Sequence, residues 1–450
     1  MKLFRSASVA LLFIAVLPLF GATFTSNNPT TTNNDDSCDI SLLPAATLLL
    51  PYFEVDLNAG AGSGETTIFT ITNTTDVPQA ARFTLWTDYA YPVITFNLYL
   101  TGYDVQSINL YDVIRRGQIA PENGTGSDVS PVGPLSGTGG NQDRDNPRLD
   151  EASCVRLPIQ LPSVFLSRMQ QAFTQGVIPG FSTTPECRDA GGAHTSAIGY
   201  GTIDLVNNCD VSMPHETSYW VDDLSYDNVL IGDYIQVNGA QDYAQTNNLV
   251  HIRAIPEGGT YDASAATNLR RTFYSAFNAA GAPGSDRRQP LPATFAARWI
   301  GGGPALFQTD LKVWREARTG VGAACAQYAG NALMSSTEIV RFDEDENPEA
   351  FAPVQHPLIP ASARVSVSDN DFFPPATGGD IGGWMYLNLD DFESDTIARQ
   401  NWVVVSMRAE GRFSGDMDAQ ALGNGCSAAT AQSRAVGGTV TIGPAPNTTP

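Results

Sequence analysis

Apolar and polar side chains alternate along residues 65–114, ETTIFTITNTTDVPQAARFTLWTDYAYPVITFNLYLTGYDVQSINLYDVI, and no other stretch restricts the fold so tightly. Successive side chains of a strand point to opposite faces, so period two means strands with one packed face. In residues 93–100, Ile94, Phe96, Leu98 and Leu100 share one face, and Thr95, Asn97 and Tyr99 share the other. In residues 105–110, Ile108 and Leu110 point inward while Ser107 and Asn109 point outward. Phe83 and Leu85 oppose Arg82 and Thr84 in the same way. Turn-forming residues at 73–78, 88–92 and 101–102 separate the runs. Short strands at this spacing argue for antiparallel β-sandwiches of Ig-like or jelly-roll-like kind.

The rest of the chain extends that design. Residues 46–57 read as a first strand, in which Pro51 implies an edge or a bulge. Residues 161–175 read as a helix: Leu161, Phe165, Met169 and Phe173 recur every fourth residue, and Gly176 follows as a stop. Strands resume at 197–206, 229–237 and 248–255, and again at 364–368, 384–389, 402–408 and 439–442. Residues 263–280 fit helix and strand equally, and residues 342–360 read as an acidic, Pro-rich loop. The Val403-Val404-Val405 run lacks alternation, which suits a central strand buried on both faces. Residues 294–316, TFAARWIGGGPALFQTDLKVWRE, echo the opening stretch. Leu311, Val313, Trp314 and Glu316 match Phe83, Leu85, Trp86 and Asp88, so two hairpins of one design are expected. The expectation is a mainly β protein with two antiparallel sandwich units and one or two short helices.

The domain plan follows from composition. Residues 1–22 read as a signal peptide: Lys2 and Arg5 precede an apolar run too short for a comfortable membrane span. Residues 23–37 form a polar, disordered linker, 38–116 the first sandwich unit, and 117–148 a Gly/Pro-rich linker. Residues 149–426 form a larger β-rich unit with the helix, and 427–450 a Gly/Ala/Thr/Pro-rich tail. No membrane span is expected in the mature chain, which points to a periplasmic, cell-surface or extracellular location. The six cysteines, Cys38, Cys154, Cys187, Cys209, Cys325 and Cys426, form no CxxC pair, and an even count in an exported chain reads as disulfides. The formal charge of −22 repels nucleic acid, so no nucleic-acid partner is expected.

The runs CDISLLPAATLLLPYFEVDL and TLWTDYAYPVITFNLYLTGYDVQSINLYDVI, with LPATFAARW and TDLKVWRE later, resemble a group of exported bacterial proteins of unknown function. The resemblance covers most of the mature chain. It implies export and brings no activity, cofactor or catalytic residue.

Motifs that carry chemistry are sparse. No Gly-x-Ser-x-Gly elbow and no HExxH occur, and His194, His215, His251 and His356 read as surface or internally satisfied histidines. Asp343, Asp345 and Asn347 have the spacing of a calcium loop, but Pro348 and Val354 stand where such a loop needs Gly and Glu. These three residues are the metal candidates, with calcium as the ion. Further acidic loops are expected at Asp369–Asp371, Asp390–Asp395, and Asp416 with Asp418. Glycoside hydrolysis needs two carboxylates at a fixed separation in a cleft, which sequence does not display, so Asp222-Asp223 and Glu393/Asp395 are candidates in name only. Trp86, Tyr89, Tyr91, Tyr99, Tyr103 and Tyr111 crowd one region, either covering the core or offering a stacking surface for sugars. The function expected is that of a non-enzymatic structural or binding protein with a glycan or protein partner at the cell surface. The alternative is a carbohydrate-binding or carbohydrate-active protein. Alkylation of the mature chain without reductant, read by mass spectrometry, is expected to label none of the six cysteines. Stoichiometric labelling of two or more contradicts the disulfide framework.

Overall fold

The computed structural model describes residues 43–119, 160–178, 188, 190–208, 218–254, 287–289, 291–303, 306–317, 336, 338–346, 348–350, 360–367, 382–389, 400–409 and 413–422. The first half of the chain supplies β1 (Thr47–Val55), β2 (Glu65–Asn73), β3 (Gln79–Thr87), β4 (Pro92–Leu100), β5 (Val105–Asn109) and the helix α1 (Ser163–Gln175). It continues with β6 (Ala197–Val206), β7 (Leu230–Asn238), β8 (Tyr243–Asn248) and β9 (Val250–Ile252). Two short helical turns, Tyr111–Arg116 and Tyr219–Asp223, link strands. A five-stranded sheet, β4-β3-β6-β1-β9, packs on a four-stranded sheet, β5-β2-β7-β8. Phe69 of β2 meets Phe83 of β3 across the gap, ring centres 4.8 Å apart.

The second half supplies β10 (Thr294–Ile300), β11 (Phe307–Arg315), β12 (Glu338–Asp343), β13 (Pro348–Ala350), β14 (Ser362–Ser366) and β15 (Gly382–Asn388). It ends with β16 (Asn401–Ala409), β17 (Phe413–Asp418) and β18 (Gln420–Ala421). Here the sheet β13-β12-β15-β10-β18 packs on β14-β11-β16-β17. The protein is therefore mainly β, with four antiparallel sheets in two sandwiches. Val403, Val404 and Val405 are all buried on β16, an interior strand.

The sheets do not divide at residues 117–148. β6, β7, β8 and β9 lie beyond that segment and complete the first sandwich, β6 pairing with both β1 and β3. The physical reason is that β1 and β3 each need a partner that residues 38–116 do not provide. Pro51 marks a bulge, with the register shifting between Leu50 and Phe53. β1 is nevertheless an interior strand: its pairing with β9 stops at Leu49, so the missing N–H of Pro51 interrupts no ladder there. The expected loop at 342–360 begins as strand, because the end of β12 and all of β13 pair across a turn.

The echo between residues 67–88 and 294–316 has a structural counterpart. β3 and β11 are both nine-residue strands, and Trp86 and Trp314 are each the penultimate residue. Each strand lies second from an edge of its sheet, and Asp88 and Glu316 follow the strand ends, both buried. The two stretches are not hairpins, however. β2 and β3 lie in opposing sheets, as do β10 and β11, so each stretch is an arch across its core. Trp86 stacks on Tyr200 at 5.7 Å, and Tyr200 meets Trp314 edge-on at 6.1 Å, so both tryptophans join one aromatic column between the sandwiches.

The helix forms as its stripe dictates. Phe165, Met169 and Phe173 are buried, and Phe173 meets Phe53 of β1 edge-on at 5.4 Å. Gly176 ends it with φ +62°, and a Cβ there would stand 1.8 Å from the carbonyl oxygen of Gly191. Residues 190–194 thus strap the end of α1: Ala190 N–H donates to Gly176 O (2.9 Å) and His194 N–H to Thr174 O (2.8 Å).

Candidate functional site

Two places gather ionisable side chains with consequences beyond packing. One is closed and lies between the sandwiches, and the other opens beside α1.

The closed place grows out of strand parity. Leu311 and Val313 of β11 join the apolar core, while Asp310 and Lys312 alternate with them and are buried as well. Lys312 Nζ lies 2.6 Å from Asp416 of β17 with neither side chain exposed, and it donates to Gln245 Oε1 of β8 at 3.1 Å. Gln245 also accepts from Ser406 Oγ (2.7 Å) and from the Tyr243 hydroxyl, and its amide donates to Met407 O and Gly415 O. Arg364 of β14 donates through Nε to Asp310 (2.9 Å) and through Nη1 to Glu54 of β1 (3.3 Å). Glu65 of β2 is 3.6 Å from the same Nη1, too far for a hydrogen bond. Arg408 lies 3.6 Å from Asp310.

Four carboxyls (Glu54, Glu65, Asp310 and Asp416) thus meet three cations (Lys312, Arg364 and Arg408). Burial and the neighbouring Glu54 charge push Glu65 up to about 7, against the pull of Arg364. A proton on Glu65 balances the cluster. Burial likewise pushes Asp416 up and Lys312 down, while each partner supports the other's charge. Clustered shifts of this kind accompany functional sites and structural ion networks alike. Here the enclosure and mutual pairing make the groups ties between sandwiches.

The open place is built where β3 ends. Asp88 follows Thr87, and Thr87 Oγ1 accepts from the backbone N–H of Tyr91 and donates to Ala190 O, fixing the turn. The Asp88 carboxylate is buried; it accepts the Gly192 N–H at 3.0 Å and lies 2.9 Å from His194 Nε2. Gly192 has no room for a side chain: a Cβ would stand 2.7 Å from His194 Nε2. His194 is a quarter exposed, and its Nδ1 has no hydrogen-bond partner among the described residues. The ring borders an open cleft of about 460 Å³ between α1, residues 57–58 and Arg115. Amides (Asn58, Gln170, Gln171, Gln175) and hydroxyls (Ser167, Thr174, Thr195) make up most of its wall. A carboxylate-held imidazole can take or give a proton, and amide and hydroxyl groups can bind a polyol.

The candidates named from sequence fare differently. Asp88 was noted only as the strand-end match to Glu316, and its partner His194 lies 106 residues away. His251 is a structural histidine, its Nδ1 2.9 Å from Leu43 O, with burial lowering its pKa. His215 and His356 lie outside the described residues, as do all six cysteines and Asn347. Asp343 ends β12 and Asp345 sits exposed in the following turn. Among the described residues no three His, Cys, Asp or Glu side chains converge as metal ligands. The expected acidic loop at Asp416 and Asp418 is the edge strand β17, where Asp416 pairs with Lys312 and Asp418 accepts from Trp402 Nε1 (3.1 Å). Asp369–Asp371, Asp390–Asp391, Glu393 and Asp395 lie outside the described residues. Asp222 and Asp223 do not form a catalytic pair: Asp223 is buried against Arg82 at 2.8 Å, while Asp222 is exposed. Of the crowded aromatics, Trp86 and Tyr91 are buried, Tyr89, Tyr99 and Tyr111 are half-buried, and Tyr103 is exposed, so they form no continuous platform.

Among the described residues no helix is long and apolar enough to cross a membrane. Comparison with known protein families, with characterised proteins and with solved structures returned no match.

A carboxyl whose pKa is higher folded than unfolded binds more protons in the folded state. Its contribution is complete below about pH 4.5 and is lost as pH rises through about 7. Replacing Glu65 with Gln keeps the shape and removes the titration. The variant is expected to gain on the wild type by up to about 3 kcal/mol between pH 4.5 and pH 8. Urea denaturation at both pH values measures this, and parallel pH profiles contradict it.

Proposed function

We propose that this chain is an exported structural or binding protein of the cell surface or extracellular space, and that it does not act by catalysing a reaction. One observation carries the reading: charged side chains that burial perturbs lie between sheets and are paired, as Lys312 and Asp416 are at 2.6 Å with neither exposed. Side chains so committed tie strands of one sheet together, reach the other sandwich through Gln245 and are closed to substrate. The apolar run behind Lys2 and Arg5 and the six cysteines support export. The cleft beside His194 favours a second reading, a carbohydrate-binding protein, because its wall offers both donors and acceptors at short spacing. The His194–Asp88 pair serves in both readings to fix the cleft wall.

The test is to incubate the mature chain with isolated cell-envelope polysaccharides and proteins and recover what it retains. Retained material is expected to return chemically unchanged, with or without His194→Gln. Cleaved or modified material whose formation stops in His194→Gln overturns the non-enzymatic reading.

A further inference from the structure

The cleft has a charge that the molecule as a whole does not. The chain carries 47 acidic residues against 25 Lys and Arg, yet no carboxylate lines this cleft among the described residues. Two carboxylates lie behind the lining and are engaged there: Asp88 is buried and turned toward Gly192 N–H and His194 Nε2, and Asp56 accepts the backbone N–H of Asn58 at 2.8 Å. Among the described lining residues the permanently charged one is Arg115, which is exposed. Arg115 has no ion pair or side-chain hydrogen bond among the described residues, whereas its neighbour Arg116 is paired with Asp112 at 2.9 Å. A free guanidinium facing a cleft inside an acidic protein is a local trap for one negative charge.

The remainder of the wall restricts the ligand further. Gln171, Gln175 and Asn58 present both N–H donors and carbonyl acceptors, and Thr195 and Ser167 present hydroxyls. An apolar ligand would leave these groups without water or partners, which is costly. A polyol would engage them. The cleft volume of about 460 Å³ falls within the roughly 300–1,000 Å³ of small-ligand sites. A phosphate group is a poorer match, since such sites assemble several cations or a row of converging backbone N–H groups. The lining here supplies one free guanidinium.

We propose that the cleft between α1 and Arg115 binds a carboxylated sugar, with Arg115 taking the carboxylate and the amide-rich wall taking the hydroxyls. This rests on the carbohydrate-binding reading above and narrows it to acidic saccharides. His194, held by Asp88, is a positioning residue for the wall opposite.

Calorimetric titration of the mature chain with galacturonic acid oligomers, matched neutral galactose oligomers and inorganic phosphate tests the proposal. The acidic oligomer is expected to bind at least tenfold tighter than the neutral one and to weaken as salt rises. Arg115→Glu is expected to lose at least tenfold in affinity with no change in melting temperature, because the Arg115 side chain makes no ion pair or hydrogen bond among the described residues. Gln171→Ala is expected to lose about two- to fivefold, the scale of one hydrogen bond. Equal affinity for acidic and neutral oligomers, phosphate binding as tight as the acidic oligomer, or full affinity in Arg115→Glu overturns the proposal, as does absence of binding. Binding that survives Arg115→Glu leaves the broader carbohydrate-binding reading standing and removes this site. An acidic oligomer that binds through Arg115 and is recovered cleaved keeps the site and removes the non-enzymatic reading.

Discussion

Lys312 and Asp416, both of the sheet β14-β11-β16-β17, face each other at 2.6 Å with no exposed side-chain surface, and the polar ties to the other sandwich are built around that contact. Taking both charges out of water costs several kcal/mol per ion, which their attraction recovers only where geometry and further hydrogen bonds are good. The protein supplies those bonds from the other sandwich: Gln245 on β8 accepts from Lys312 while its amide reaches the backbone of β16 and β17. Arg364 extends the same layer to Glu54 and Glu65. An apolar junction would tolerate sliding, whereas fixed donor and acceptor geometry defines one register. The aromatic column of Trp86, Tyr200 and Trp314 supplies the non-polar part of the joint.

The same logic of paired interior charge recurs inside the first sandwich. Arg82 pairs with Asp223, and Arg288 pairs with Asp204 while donating to the Tyr219 hydroxyl and lying over the Trp220 ring. These contacts pin the helical turn Tyr219–Asp223 onto the outer face of the five-stranded sheet. Part of that face is polar, with Thr84, Thr95 and Asn97 all buried on it, while Trp86 and Tyr200 on the same face join the aromatic column. The molecule thus uses polar layers outside its apolar cores, and the cleft beside α1 is a place where polar groups remain open to a ligand.

The features legible in the sequence are those whose cause is local. The stripe Leu161, Phe165, Met169 and Phe173 reads as a packed helix because its period is internal to it. Residues 197–206 read as a strand at the observed bounds of β6, and the pattern shared by Phe83, Leu85, Trp86 and Asp88 with Leu311, Val313, Trp314 and Glu316 pairs the two tryptophans. What escaped is non-local. Thr95 and Asn97 alternate like exposed positions, yet another layer covers them. Lys312 reads as a solvent-facing strand residue until Asp416, 104 positions away, is placed beside it. Asp416 and Asp418 read as loop acids, since nothing nearby in sequence reveals a strand paired to β16. His194 was visible as a histidine, but the cleft it borders is made by segments distant in sequence, and no pattern in any one of them announces it.

The central claim is that a buried layer of paired charge, centred on Lys312 and Asp416 of one sheet, carries the polar ties to the other sandwich, and a double-mutant cycle on Lys312→Met and Asp416→Leu tests that pairing most directly. Each single replacement leaves an unpartnered buried charge and is predicted to cost about 3–5 kcal/mol in urea denaturation. The double replacement is predicted to recover most of that loss, giving a coupling of at least about 2 kcal/mol. Additive losses, or single replacements with wild-type stability, would contradict the account.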